Sequence, residues 1–180
     1  MRLPTGIPTS VVLIFLSSGD DVLELRELVN RLVEESVNPV LRQNELSVRV
    51  EVDGWDRTAA HRVPSGEKTN TEFVRRACNA HLVLGILRDE LGDGTREELE
   101  AALEKDDVEL SVVWCVDRDG DWPETSVGKW LGPMKERLLF DRAGDLGTVG
   151  PAIAIVRILL EAVMTAARQN QDQELLRERR

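Results

Sequence analysis

Continuous apolar runs alternate along this chain with stretches whose apolar positions recur at helical spacing. Residues 11–16 are all apolar, which is typical of a strand buried on both faces of a parallel sheet. After a Ser-Ser-Gly-Asp-Asp turn, apolar side chains at 25, 28, 29, 32, 33 and 37 mark one face of a helix. Either Asp20 or Asp21 is the expected N-cap of that helix. The pattern therefore predicts a strand, a tight loop and an amphipathic helix.

The same alternation continues to the end of the chain. Residues 46–52 alternate valines with charged side chains, which predicts a strand exposed on one face and near a sheet edge. A long polar loop at 53–69 follows, and loops of this length are usually functional or disordered. The remaining predicted elements are a helix at 70–77, a strand at 82–87, a helix to about 105, a strand at 110–115, a helix near 127–136 interrupted by Gly132-Pro133, a brief strand at 138–140 and a long helix from about 149.

This order of elements predicts an α/β fold, a flavodoxin-like three-layer sandwich with a central parallel sheet of about five strands. We expect an N-terminal tail at 1–10, a single domain at 11–167 and a polar helical extension at 168–180. Ligands of such sheets bind at the carboxyl ends of the strands. The loops expected at that edge are 17–21, 53–56, 88–95 and 116–122.

The amino-acid composition limits the classes of partner that this chain could bind. The net charge is −10, from 23 basic and 33 acidic residues, which argues against nucleic acid and against an anionic membrane surface. No apolar stretch approaches the ~20 residues of a spanning helix, and the start lacks a signal peptide, so we expect a cytoplasmic protein. Two cysteines and two histidines show no metal-ligand spacing, so no metal is expected and both cysteines are predicted to be buried free thiols.

One glutamate of the helix that follows residues 82–87 stands apart from the others. On a helical wheel the core stripe is formed by Leu99, Ala102 and Leu103, whereas the other glutamates, at 97, 100 and 104, lie on the opposite side. Glu98 lies at the border of the apolar stripe, in the first turn, toward the expected strand ends. Either of two interpretations fits this position: a carboxylate facing a cleft, or a capping box with Thr95.

Short motifs in this chain resemble a known superfamily. Residues 94–102, GTREELEAA, resemble the G-T-x-x-E-(x3)-A segment of the nucleoside deoxyribosyltransferase-like families and their TIR-like relatives. Further agreement is with the TIR-like domain of unknown function found at the front of bacterial signalling and defence ATPases. The matching residues, within about 11–115, are Phe15-Leu16-Ser17-Ser18, Asp21-Val22, Glu24 with Arg26, a strand ending near Trp55, Gly66, and Asn70 before a helix.

The resemblance implies a TIR-like domain that binds NAD or a nucleoside as substrate, with no separate cofactor. It assigns Glu98 to N-glycosidic cleavage, in bacterial signalling or phage defence. The chemistry is physically reasonable, because nicotinamide leaves NAD as a neutral ring and needs no general acid. One carboxylate that stabilises or traps the oxocarbenium ion is then sufficient, unlike the two carboxylates of ordinary glycosidases.

Five further residues are candidates for substrate binding, each with a structural alternative. Ser17 and Ser18 could hold phosphate or ribose, or cap the first helix. Trp55 could stack on a base or pack in the core, and Asp56 could contact ribose or form a turn. Arg88 could bind a diphosphate or pair with neighbouring acids.

The alternative function is a non-catalytic TIR-like module that self-associates, or that serves a fused or partner signalling domain. The amphipathic last helix favours it. The chain also has no tyrosine and only 4% aromatic residues, so few aromatic side chains besides Trp55, Trp114, Trp122 and Trp130 are available to clamp a base. A phosphate-receiver domain is disfavoured because Arg88 stands where its acceptor aspartate is expected. The absence of a Walker motif argues against ATP hydrolysis.

Overall fold

A computed structural model describes residues 10–44, 46, 48–54, 69–115, 124–134, 140–142 and 149–178. Its strands are β1 (Ser10–Ser18), β2 (Val48–Gly54), β3 (Leu82–Leu87), β4 (Glu109–Trp114) and β5 (Phe140–Arg142). Its helices are α1 (Leu23–Leu32), α2 (Asn38–Gln43), α3 (Thr69–Ala77), α4 (Asp93–Leu103), α5 (Ser126–Met134) and α6 (Val149–Glu178).

The strands form one parallel sheet in the order β2-β1-β3-β4-β5. The four longer strands, β2-β1-β3-β4, confirm the predicted α/β fold with a central parallel sheet. The chain leaves β1 toward β2 on one side and leaves β3 toward β4 on the other. The topological switch point of the sheet therefore lies between β1 and β3, where a crevice opens at the carboxyl ends of the strands.

Helices cover both faces of the sheet. One core packs α1, α2 and α6 against side chains such as Ile14 and Leu84, and the other packs α3, α4 and α5 against side chains such as Phe15 and Val83. Neighbouring residues of β1 and β3 thus point to opposite faces, as the period of two in a strand requires. The result is a three-layer α/β arrangement.

The connection after β1 differs from its prediction. A 3₁₀ turn, Asp20–Val22, precedes α1, and its N-cap is Gly19, with no side-chain cap hydrogen bond. Asp20 and Asp21 therefore lie inside the first turn, and the prediction that one of them is the N-cap is wrong. Their charges still suit the positive end of a helix. The helical segment then continues through a π-helical turn, Val33–Val37, into α2.

Several other elements can be compared with their predicted positions. β2 pairs with β1 alone and alternates buried with more exposed side chains, so its predicted place near the sheet edge is confirmed. The brief strand predicted at 138–140 lies at Phe140–Arg142. α5 continues through Pro133 to Met134, although this proline was expected to interrupt it. Among the described helices, none is both long and apolar enough to cross a bilayer.

Candidate functional site

A cleft of about 690 Å³ opens at the switch point, at the carboxyl ends of β1 and β3. Its walls come from the end of β1, the turn before α1, one residue of α1, the loop between β3 and α4, and the first two turns of α3 and α4. The described lining residues are Phe15, Leu16, Ser18, Gly19, Asp20, Asp21, Arg26, Asn70, Phe73, Glu90, Gly92, Asp93, Gly94, Thr95, Glu97 and Glu98. This is the position at which ligands of open α/β sheets bind.

Helix α4 carries Glu98 into this cleft, but not through a capping box. The helix begins at Asp93 with Gly92 as its N-cap, and no side chain caps it. The amide of Arg96 already donates to the Gly92 carbonyl at 3.0 Å. Thr95 therefore lies within the first turn and Glu98 within the second, so the capping-box interpretation and the first-turn position of Glu98 are both wrong. Local capping does not account for the place of this carboxylate.

A glycine in β3 allows α4 to approach the sheet closely. A Cβ on Gly85 would lie 3.0 Å from Leu99 Cδ2 and 3.2 Å from Val112 Cγ2. Leu99 is fully buried and packs into the space that this glycine leaves open. Gly85 lies beside Ser17 in the register of β1 and β3. Because Leu99 packs over Gly85, the preceding residue, Glu98, comes close to the end of β1. A glycine inside an apolar strand run is the sequence signal for such close approach.

Ser17 and Glu98 are joined by a short hydrogen bond. The Ser17 hydroxyl donates to Glu98 Oε2 at 2.5 Å, within the range of charge-assisted O–H to carboxylate bonds. Ser17 is only 1% exposed, so this bond is shielded from water. Ser17 faces α4 because it shares the strand face of Phe15, whereas Ser18 belongs to the opposite face and lines the cleft at the strand end.

Burial raises the pKa of Glu98 above its usual value, and nearby Glu97 adds to the effect. The Ser17 hydrogen bond and the positive charge of Arg26 oppose this shift without cancelling it. A part-buried carboxyl group in a cleft, with its pKa shifted by desolvation and by named charges, is typical of a functional acid.

Arg26 is a charged contributor that the sequence interpretation did not place in the site. It is 3% exposed within the apolar face of α1, and its Nη1 lies 3.8 Å from Asp20 Oδ1. The available signal was an arginine in the stripe that also contains Leu25 and Val29. The charge of a buried arginine acts strongly on a nearby carboxylate, because little water lies between them to screen it.

The structure places Arg88 away from the cleft lining. Its guanidinium donates to Glu24 Oε1 at 2.5 Å and to the Asp21 carbonyl. The hydrogen bond to Glu24 raises the pKa of Arg88 and lowers that of Glu24. Of the two interpretations of Arg88, the ion pair with an acid is the one observed, although its partner is Glu24 rather than the acids of its own loop. Trp55 and Asp56 lie outside the described residues.

Among the described residues, the aromatic lining of the cleft comes from two phenylalanines. Tryptophans were the expected candidates, and two of them, Trp55 and Trp122, lie outside the described residues. Phe15 and Phe73 are both buried in the cleft lining, and the Arg76 guanidinium lies 5.5 Å from the Phe73 ring centre. Trp114 and Trp130 pack in the core instead. Their indole N–H groups donate to the Arg88 carbonyl and to Glu100 Oε1, each at 3.0 Å.

The cysteines take no part in this cleft. Both are half-buried free thiols rather than fully buried ones. Desolvation raises the pKa of Cys115 to about 12, so its thiol is not ionised at neutral pH and is not a reactive nucleophile. Within the described ranges, no three His, Cys, Asp or Glu side chains converge in a way that could hold a metal ion.

No protein-family model matches the chain, and no protein of curated function is significantly similar to it in sequence. The resemblance to TIR-like domains therefore depends on the short motifs and their order.

Proposed function

We propose that this chain is a flavodoxin-like, TIR-like domain that cleaves the N-glycosidic bond of NAD(P) or a nucleoside, acting in bacterial signalling or phage defence. The observation that carries the proposal is the Glu98 carboxylate, part-buried in the cleft, with a raised pKa and a 2.5 Å hydrogen bond from Ser17. Its place agrees with the motif resemblance at residues 94–102.

Glu98 acts in its ionised form in this proposal. Cleavage of the bond between the ribose and the base develops positive charge on the sugar, and a carboxylate in a partly dehydrated site stabilises that charge strongly. It could also form a covalent bond to the anomeric carbon, which water then hydrolyses. The Ser17 hydroxyl holds the carboxylate in one orientation. Phe15 and Phe73 make part of the cleft lining apolar.

The test is release of free base, followed by chromatography, from NAD, NADP and nucleosides over a range of protein concentrations and pH. We expect slow or assembly-dependent release that increases as pH rises through the raised pKa of Glu98. Glu98→Gln should abolish release while leaving the fold intact. Glu104→Gln is the matched control, because Glu104 is an exposed acid at the far end of α4. Equal release by wild type and Glu98→Gln would show that the catalytic assignment is wrong.

A second candidate function, self-association, is favoured by one observation on α6. Four apolar side chains on this helix are exposed although its opposite face is packed on the sheet; they are Ile153, Val156, Leu160 and Met164. Their spacing of three or four residues aligns them in one stripe along the helix. An amphipathic helix needs one apolar face to join a domain, and α6 has two.

A second copy of the chain, with its α6 antiparallel, fits this stripe. Arg157 and Glu161 flank it and pair along the helix, with Nε and Oε1 3.9 Å apart. Antiparallel pairing about a two-fold axis would bring Arg157 of one copy near Glu161 of the other, so the charges beside the stripe are self-complementary. Such pairing could hold the catalytic cleft in an assembly or act without catalysis.

A further inference from the structure

The charged side chains in the described part of the cleft lining are mostly negative. Among its described lining residues, one side chain is cationic, Arg26, and six are acids, namely Asp20, Asp21, Glu90, Asp93, Glu97 and Glu98. A cleft lined by one sign of charge concentrates ligands of the opposite sign and repels those of the same sign. The described part of the lining therefore disfavours an anionic ligand.

Three described arginines that lie outside the cleft lining, Arg76, Arg88 and Arg96, are already paired with acids of this chain. Arg76 donates to both carboxylate oxygens of Asp53, with its Nε 2.8 Å from Oδ2. The nitrogen to oxygen distance is 2.5 Å for Arg88 with Glu24 and 2.9 Å for Arg96 with Asp93. Arg26 has Asp20 at 3.8 Å. A diphosphate would have to compete with these carboxylates for each guanidinium, whereas phosphate sites usually offer arginine forks to the ligand.

Two backbone donors of the loop between β3 and α4 are also occupied. In the loop between β3 and α4, the Asp89 amide donates to Asp21 Oδ2 at 3.3 Å and the Leu91 amide donates to Ser126 Oγ at 2.7 Å. Asp93 then places a carboxylate in the first turn of α4. A carboxylate at a helix start repels the anions that the N–H groups there would otherwise attract.

We infer that the preferred substrate of this cleft is an N-riboside without phosphate, and especially one whose base carries a positive charge, such as a pyridinium riboside. This inference rests on the proposed function and narrows its substrate class. The cationic ring is attracted by the acidic lining, and ribose hydroxyls can donate hydrogen bonds to the carboxylates. A dinucleotide brings a diphosphate into the same negative field.

The reaction balances with water as the only co-reactant. The bond between the anomeric carbon and the ring nitrogen breaks, and its electron pair leaves with the nitrogen, which converts the cationic ring into a neutral base. The oxygen of water bonds to the anomeric carbon and releases one proton. Glu98 stabilises the positive charge that develops on the ribose between these two events.

Three compounds with the same scissile bond provide the test: nicotinamide riboside, nicotinamide mononucleotide and NAD. They release the same base and differ in phosphate content, so kcat/KM for nicotinamide release isolates the effect of phosphate. At low salt we expect the riboside to exceed both phosphorylated compounds by roughly tenfold or more, the scale of electrostatic focusing in charged clefts. The preference should decrease in about 1 M salt, where the screening length falls to about 3 Å.

A variant that removes one lining charge tests whether the preference for the riboside arises in the cleft. Glu90 is an exposed lining residue, so Glu90→Gln should increase kcat/KM for the mononucleotide relative to the riboside. Glu104→Gln removes one negative charge from the same region of sequence at the far end of α4, and should leave the ratio unchanged.

The outcomes distinguish a failure of the inferred substrate preference from a failure of the proposed function. If NAD or the mononucleotide is cleaved as fast as the riboside at low salt, the inference is overturned while the proposed function stands. If Glu90→Gln and Glu104→Gln shift the ratio equally, the lining charge is not its source. Release from none of the three, at the highest protein concentration, contradicts the proposed function itself.

Discussion

At the scale of single residues, the cleft depends on contacts between side chains far apart in the sequence. Ser17 and Glu98 are separated by 81 positions and meet because Ser17 faces α4 from the end of β1. Helical spacing had already distinguished Glu98 from its neighbouring acids. It could not reveal the partner, because which side chain faces α4 depends on the alternation of β1 and on the position of α4 over the sheet. For the same reason Arg88 was left with two interpretations until its ion pair with Glu24 was visible.

The raised pKa of Glu98 makes a prediction about stability. Because the folded chain holds this proton more tightly than the unfolded chain, the free energy of unfolding decreases as pH rises through the interval between the two pKa values. At neutral pH the buried charge therefore destabilises the fold, and a neutral isostere avoids that cost. We expect Glu98→Gln to have a higher Tm than wild type at pH 7.

Calorimetry against pH provides the measurement. The difference in Tm between the two proteins should vanish below about pH 4.5, the usual pKa of a glutamate, because both side chains are then neutral. Each kcal/mol of stabilisation raises Tm by roughly 2–4 °C in a domain of this size. The exposed-acid control Glu104→Gln should alter stability by no more than about 0.5 kcal/mol. A Glu98→Gln protein less stable than wild type at pH 7 would contradict the idea that ionised Glu98 is held at a cost.

At the scale of elements, α4 and β3 form the unit that positions the carboxylate. The sequence predicted both elements, and the strand run around Gly85 was recognised by its apolar character. The start of α4 was misjudged because Thr95 to Glu98 matches a capping box, whereas the chain turns into the helix at Gly92. Helix boundaries follow from how the loop packs against Asp21 and Ser126, which no local motif records.

The close approach at Gly85 can be tested directly. Gly85→Ala places a methyl group 3.0 Å from Leu99 Cδ2, so α4 or its side chains must move. Overpacking of this kind costs about 1–3 kcal/mol, measured by denaturant unfolding. We also expect base release to decrease, because a shift of about 1 Å at a catalytic group can reduce the rate by about 100-fold.

Leu99→Val in the Gly85→Ala background is the compensating variant, since it removes one methylene from the crowded side. It should recover part of both stability and activity. Unchanged stability and unchanged base release in Gly85→Ala would mean that the spacing of α4 from β3 does not position Glu98.

At the scale of the whole molecule, the sheet order creates the cleft and leaves a second apolar face on α6. The switch point between β1 and β3 brings the turn before α1 together with the starts of α3 and α4. α6 packs on the face of the sheet that also carries α1 and α2, and its exposed stripe points away from the sheet. Catalysis and self-association are therefore compatible, because they would use different surfaces.

Self-association can be measured by sedimentation over a wide range of concentration. We expect wild type to form a dimer and Leu160→Glu to remain monomeric, because the substitution places a charge in the centre of the stripe. Val40→Glu is a matched control, since Val40 on α2 is 53% exposed and Leu160 is 51% exposed. If the wild type is monomeric at every concentration, or if both variants dissociate equally, α6 is not the contact between copies.

The sequence by itself determined the alternation of strands and helices, the parallel α/β class and the distinct position of Glu98 among the acids of its helix. These properties depend on periodicity within short segments, which local residue order records. Only the tertiary structure decided that Ser17 rather than Ser18 meets Glu98, that Arg88 pairs with Glu24, and that α4 begins at Asp93 after its N-cap Gly92. These contacts are decided by strand register, by the space left at Gly85 and by competition among charges that meet only after folding.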